Sequence, residues 1–187
     1  GPGYGGSCFP KDTLALVRLA QEAGAPSQIV ESVTAVNDAR KKQMAERIVA
    51  ACGGGVEGKT LAVLGVTFKP NTDDMRDSPS LDIVPALQKA GARVRAYDPQ
   101  GMTEAKPLLP DVDWCISVYE AIEGADALVI LTEWNEFRSL DLGRVAQALT
   151  APIVIDLRNI YEPQEMADLG FDYYCIGRPH QDPKPAQ

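Results

Sequence analysis

Cys8 stands in the string Gly3-Tyr4-Gly5-Gly6-Ser7-Cys8-Phe9-Pro10-Lys11-Asp12. The string puts a thiol after a glycine-rich loop, whose backbone can approach another group closely, and just before a helix start. Free N–H groups at a helix N-terminus favour the thiolate, the nucleophilic form of cysteine. Lys11 adds positive charge nearby, and Asp12, four residues on, is placed to orient water or shuttle a proton. The competing reading is an inert cysteine beside a tight turn.

Two further segments carry cations. Residues 65–78 follow an apolar strand spanning Thr60 to Phe68 and hold Phe68, Lys69 and Arg76. Ligands of open α/β sheets collect outside the carboxyl ends of the strands, where this loop belongs. It is not GxGxxG and does not read as a primary dinucleotide fingerprint, and Gly53, Gly54 and Gly55 precede the strand, so they are the wrong glycines for that role. Lys69 and Arg76 taken alone also read as solvated charges. Asp156-Leu157-Arg158-Asn159 ends a later strand on the same rim. Arg158 can fork onto a pyrophosphate or sugar oxygens, or pair with an acid such as Asp156. Trp134 and Phe137 read as packing at a strand end, and Asp98, lacking the glycine fingerprint, is not counted as an NAD ligand.

The positioning elements follow from periodicity. Thr13 to Ala23 reads as a helix with Asp12 as N-cap and Gly24 as stop. A longer helix runs from Pro26-Ser27 to about Cys52, with Ile29, Val33, Val36, Met44 and Ile48 as its apolar stripe and Asp38 to Lys42 on the opposite, charged side. One apolar stripe of that length suits a helix packed between domains or across a dimer. Beyond Lys59, apolar strands alternate with helices: a helix from Pro79 to Lys89 capped by Ser78, strands at Arg93–Tyr97, Ala127–Thr132, Ile153–Asp156 and Tyr173–Ile176, and helices at Val118–Glu123, Leu142–Leu149 and Pro163–Leu169. The fold class is α/β, a Rossmann-like doubly wound parallel sheet of about five strands preceded by a long central helix and an N-terminal cysteine loop and helix. The expected organisation is residues 1–25 for the cysteine loop and short helix, 26–56 for the central helix, 57–178 for the Rossmann-like domain and 179–187 for a loosely ordered tail.

Composition narrows the partners. A net charge of -8 argues against non-specific nucleic-acid or membrane-surface binding. No apolar run approaches the ~20 residues of a membrane span, and no signal peptide is visible. Cys8, Cys52, Cys115 and Cys175 form no CxxC pair and suit neither a zinc site nor a disulfide framework, so no metal is expected and a reducing, cytoplasmic setting is the simplest reading. His180, the sole histidine, leaves little for a histidine-based catalytic site. The abrupt Gly1-Pro2-Gly3 opening reads as a piece of a longer protein.

The cysteine string resembles the catalytic signature of the UDP-glucose and GDP-mannose dehydrogenase family. The resemblance continues through Phe68 to Ser80, Thr132 to Phe137, Asp156 to Glu162, where Leu157 replaces the more usual Gly, and Ile176 to Pro179. The stretches Phe68 to Ser80 and Asp156 to Glu162 favour the UDP-glucose branch. It implies that Cys8 is the nucleophile and that Asp12 assists water or proton movement. It implies substrate contacts from Gly1, Pro2, Gly3, Tyr4, Gly5, Phe68, Lys69 and Arg158, and NAD contacts from Cys8, Phe9, Pro10, Lys11 and Arg76. The implied reaction takes UDP-glucose to UDP-glucuronate with two NAD, through a thiohemiacetal and a thioester on cysteine, in a homodimer joined through the central helix. GDP-mannose is the alternative substrate. The family's GxGxxG domain is not in this sequence, so the chain alone is expected to be inactive; the alternative for it alone is a UDP-sugar-binding and dimerisation module.

Overall fold

The computed structural model describes residues 1–184. Strands β1 (Thr60–Leu64), β2 (Arg93–Tyr97), β3 (Asp113–Trp114), β4 (Ala127–Ile130), β5 (Ile153–Asp156) and β6 (Asp172–Cys175) form one parallel sheet ordered β3-β2-β1-β4-β5-β6. The helices are α1 (Phe9–Glu22), α2 (Gln28–Ala51), α3 (Ser80–Lys89), α4 (Met102–Ala105), α5 (Val118–Ile122), α6 (Asn135–Arg138), α7 (Leu142–Ala148) and α8 (Pro163–Asp168). Every residue of β4, and all of β1 after Thr60, is buried, as central strands covered on both faces must be. Alternate residues feed two cores. Leu61, Val63, Val129 and Ile155 meet Ile48 of α2 and Ile83 and Leu87 of α3; Ala62, Leu64, Leu128 and Val154 meet Ile122, Val145, Met166 and Phe171 on the other face. This is the doubly wound architecture expected, with the strand order reversing between β1 and β4.

Several local expectations shift. A sixth strand, β3, adds to the edge beside β2; two residues are too short to show alternation. β1 stops at Leu64 because Gly65 turns at φ 78°, its N–H bonding Tyr97 O, and the Asp98 carboxylate takes the next two N–H groups, of Val66 and Thr67. α1 starts at Phe9, four residues earlier than expected. Pro10, whose fixed φ and missing N–H suit a first turn, leads it, and the Asp12 N–H bonds Cys8 O at 2.8 Å. Asp12 is therefore inside the first turn, and Cys8 holds the N-cap position. Pro79, not Ser78, holds the N-cap position of α3; the Ser78 hydroxyl donates to Val66 O, tying the 65–78 loop back on itself, and accepts the Ser80 N–H only at 3.4 Å.

The stripe on α2 divides. Met44 and Ile48 are buried, whereas Ile29 is 80% exposed and Val36 64%. Lys41, placed by charge on the outer face, is only 7% exposed, and Asn37 is buried with it. In the tail, His180 stacks on Tyr174 and the Lys184 N–H bonds Ala167 O, so residues 179–184 lie against β6 and α8; 185–187 fall outside the described residues. Among the described residues no helix is long and apolar enough to cross a membrane, and no cluster of acids, cysteines or histidines suits a metal.

Candidate active site

Three segments far apart in sequence meet at the carboxyl rim of the sheet. The N-terminal loop is pinned at both ends. Arg40 Nε donates to Gly1 O at 2.6 Å, and Gly1 lies so close to Arg158 that an added methyl would stand 2.8 Å from its guanidinium. The Gly6 N–H donates to Arg76 O at 2.8 Å, while Gly5 leaves no room for a side chain beside the carbonyl of Asp77. Gly6 takes φ 90° with the Phe68 ring against it, a combination that suits glycine. Pro2 is buried beneath this loop. Between the pins, Asn37 holds Tyr4: the Tyr4 N–H donates to Asn37 Oδ1 at 2.8 Å and Asn37 Nδ2 donates to Tyr4 O at 3.3 Å.

The loop delivers Cys8 to solvent. Its sulfur lies 3.5 Å from Ser7 Oγ. The Arg76 guanidinium is held protonated chiefly by the hydrogen bonds it donates to Asp74, and Cys8 is near enough to add a smaller contribution. Phe9 is 54% exposed and packs edge-on against Tyr4, with ring centroids 4.5 Å apart, while Pro10 is buried. Lys11 pairs with Asp12 at 3.3 Å in the open, a contact that solvent screens.

The cations of the rim all have partners. Lys69 lies over the Phe68 ring, 5.1 Å from its centroid. Arg76 forks onto Asp74 at 2.8 and 2.7 Å, and those bonds hold the Asp74 carboxyl below its usual value. Arg158 grips Glu133 with two nitrogens. Burial would raise the Glu133 pKa, but the hydrogen bonds and charge of Arg158 outweigh it and hold that carboxyl low. Asp156, the acid suggested as Arg158's partner, is occupied elsewhere: it accepts the N–H groups of Arg158, Ile160 and Tyr161 and the Tyr173 hydroxyl. Asp98 is likewise fully buried, capping the turns after β1 and β2 and accepting Trp134 Nε1 at 3.3 Å. Trp134 and Phe137 are buried packing residues, as expected. Leu157 points into the core, and the left-handed position of the turn is Asn159, so replacing glycine at 157 costs nothing visible.

Asn37, Arg40, Lys41 and Glu133 were not singled out by sequence. Asn37 and Lys41 stand four apart and continue through Met44 and Ile48, a helical spacing that places them on the buried stripe; reading Lys41 as part of the charged run Asp38 to Lys42 hid this. An open groove of about 690 Å³ runs beside the loop, lined by Gly3, Tyr4, Ile29, Val33 and Val36 among others; Cys8 does not line it. The whole is an exposed thiol at a helix start, bordered by a cation-bearing rim and open on the side of α1 and the first turns of α2. Such a surface can present a nucleophile and hold an anionic ligand from one side.

Residues 62–163 match the UDP-glucose/GDP-mannose dehydrogenase family, UDP binding domain, and residues 1–39 match the central domain of the same family. The chain belongs to the UDP-glucose/GDP-mannose dehydrogenase family. Among relatives of this family, UDP-glucose 6-dehydrogenase of Rhizobium meliloti is 58% identical over 96% of the chain and 41% of its own length. UDP-glucose 6-dehydrogenase TuaD of Bacillus subtilis is 44% identical over 96% of the chain and 39% of its own length. Among solved structures, an NDP-N-acetyl-D-galactosaminuronic acid dehydrogenase from Methanosarcina mazei superposes with TM-score 0.83 at 34% identity, covering 95% of this chain and 39% of that one. A UDP-glucose dehydrogenase from Pyrobaculum islandicum does so with TM-score 0.77 at 34% identity, over 88% of this chain and 37% of that one. The chain thus spans about two fifths of the length of these family members. Cys8 and Asn37 lie in the central-domain match; Phe68, Lys69, Arg76 and Arg158 lie in the match to the UDP-binding domain.

Proposed function

We propose that this chain is the catalytic-cysteine and UDP-binding part of an NAD-dependent UDP-glucose 6-dehydrogenase. The observation that carries the reading is the docking of the Cys8 loop onto the rim that holds Phe68, Lys69, Arg76 and Arg158. Relatives named for UDP-glucose, at 58% and 44% identity, support the substrate.

The Cys8 sulfur attacks the C6 carbonyl of the sugar aldehyde, forming a C–S bond that keeps the aldehyde from leaving. After the second oxidation the same bond is a thioester. Asp12, one turn along α1, takes the proton from the water that cleaves it, and the sulfur departs as thiolate while the uronate is released. Arg158 and Lys69 hold the anionic nucleotide sugar, and the loop from Gly1 to Gly5 lies along it. NAD, when bound, would take one hydride from C6 in each of the two oxidations, so that two NAD are reduced per sugar. Cys8, Phe9, Lys11 and Arg76, exposed beside buried Pro10, fit it as one border. The exposed apolar residues of α1 and of the first half of α2, Leu14, Leu19, Ile29 and Val36 among them, support a homodimer formed through the central helix. Four free thiols suit a cytoplasmic setting.

The test is NADH production by the full-length protein. UDP-glucose is expected to give two NADH per UDP-glucuronate, the Cys8→Ala variant to lose at least about 10³-fold, and the 187-residue chain alone to give none. A preference for GDP-mannose would overturn the substrate, and full turnover by Cys8→Ala would overturn the mechanism.

A further inference from the structure

Asn37 and Lys41 sit one turn apart on the buried side of α2, yet each points out of the helix to a different wall of the site. Asn37 takes both the N–H and the C=O of Tyr4, the pairing one strand offers another. The Lys41 ammonium donates to Asp77 O at 3.3 Å and pairs with Asp82 Oδ2 at 3.3 Å. The Asp77 carbonyl is the one on which Gly5 rests, and Asp77 is held left-handed at φ 50°. A non-glycine residue keeps that conformation only where its surroundings impose it. Gly3 completes the joint, since a methyl there would stand 3.0 Å from both Asn37 Oδ1 and Lys41 Cγ. A buried ammonium persists only where it is paired, and here one partner, Asp77, ends the segment that carries Arg76, and the other, Asp82, lies in the first turn of α3 that follows it.

We infer that Asn37 and Lys41 are positioning residues, which together set the distance between the cysteine loop and the 68–78 loop. Asn37 fixes Tyr4, four residues before the nucleophile, and Lys41 fixes the carbonyl against which that loop is seated. The helix between them is the rigid spacer. The catalytic consequence rests on the dehydrogenase reading; the mechanical one does not.

The test uses the full-length protein with Lys41→Met, which keeps the stem against Gly3 and loses the charge, Asn37→Leu, and Lys41→Arg as the conservative variant. Amide exchange at residues 3–8, above all at Tyr4 and Gly6, is expected to accelerate by about tenfold or more in the first two. In the dehydrogenase assay kcat is expected to fall roughly 10- to 100-fold, with KM for the sugar nucleotide moving less than about threefold. Lys41→Arg is expected to restore most of the exchange protection and of kcat. Unchanged exchange at residues 3–8 in folded Lys41→Met and Asn37→Leu overturns the inference. A lowered melting temperature with kcat retained and no rescue by Lys41→Arg overturns it equally, because that is the pattern of a packing role. If Lys41→Met does not fold, Asn37→Leu and Lys41→Arg carry the same comparison. If the unaltered protein oxidises no sugar nucleotide, the function has failed, and the exchange measurement still decides the positioning.

Discussion

At the scale of residues, much of the site is made of close approach. Gly5 sits against the backbone carbonyl of Asp77, which also accepts from Lys41 Nζ at 3.3 Å. Gly5→Ala is therefore expected to lift the loop off the rim while leaving the sheet intact. Alkylation of Cys8 by iodoacetamide would change rate by about tenfold, dehydrogenase activity would fall at least about 100-fold, and the melting transition of the Rossmann-like part would stay in place. Full activity in that variant would mean that the docked loop is not the working one. Residue types in the string were enough to single out Cys8 and Asp12, because a thiol, glycines and a helix start make chemical sense side by side. The partners of the cations were not legible: Arg158 was weighed against Asp156, two residues away, and takes Glu133, 25 residues away.

At the scale of elements, α2 is one helix with two environments. Its second half is sealed against α3 and the sheet, whereas its first half and α1 keep an apolar surface open. Ile48→Ala is expected to cost about 2–5 kcal/mol in denaturant unfolding, the range for emptying a filled core position. Ile29→Lys is expected to leave unfolding within about 0.5 kcal/mol of the parent sequence and, in the proposed dimer, to shift sedimentation toward the monomer. Equal costs at the two positions would contradict the division. Five of the six strands were placed because their apolar runs are short and bounded, although β1 ends four residues before the expected Phe68 and the two-residue β3 was missed; the start of α1 was missed because Pro10 reads as a breaker when it in fact leads the first turn.

At the scale of the whole molecule, an acidic chain keeps its rim together through paired carboxylates. The folded Glu133 and Asp74 pKa values lie below their ordinary values of 4.5 and 3.8, Asp74 chiefly through Arg76 and Glu133 because Arg158 outweighs its burial. A carboxylate with a depressed folded pKa adds stability above its unfolded value and loses it as pH falls through the folded one. The melting temperature is therefore expected to drop as pH falls from about 4.5 downward, and Glu133→Gln to flatten part of that slope. A slope unchanged by Glu133→Gln would show that the Arg158 pair contributes nothing to acid stability.

Sequence alone determined the α/β class, the place of the cysteine before a helix and the rim on which Phe68, Lys69, Arg76 and Arg158 lie. Those follow from periodicity and from neighbours along the chain, which are local properties. Only the tertiary structure decided that Asn37 meets Tyr4, that Lys41 meets Asp77 and Asp82, that Asp98 and Asp156 are buried caps, and that half of α2 remains open. The physical reason is distance. A polar side chain takes the partner that packing brings within about 3 Å, and here those partners lie 33 and 36 residues away along the chain.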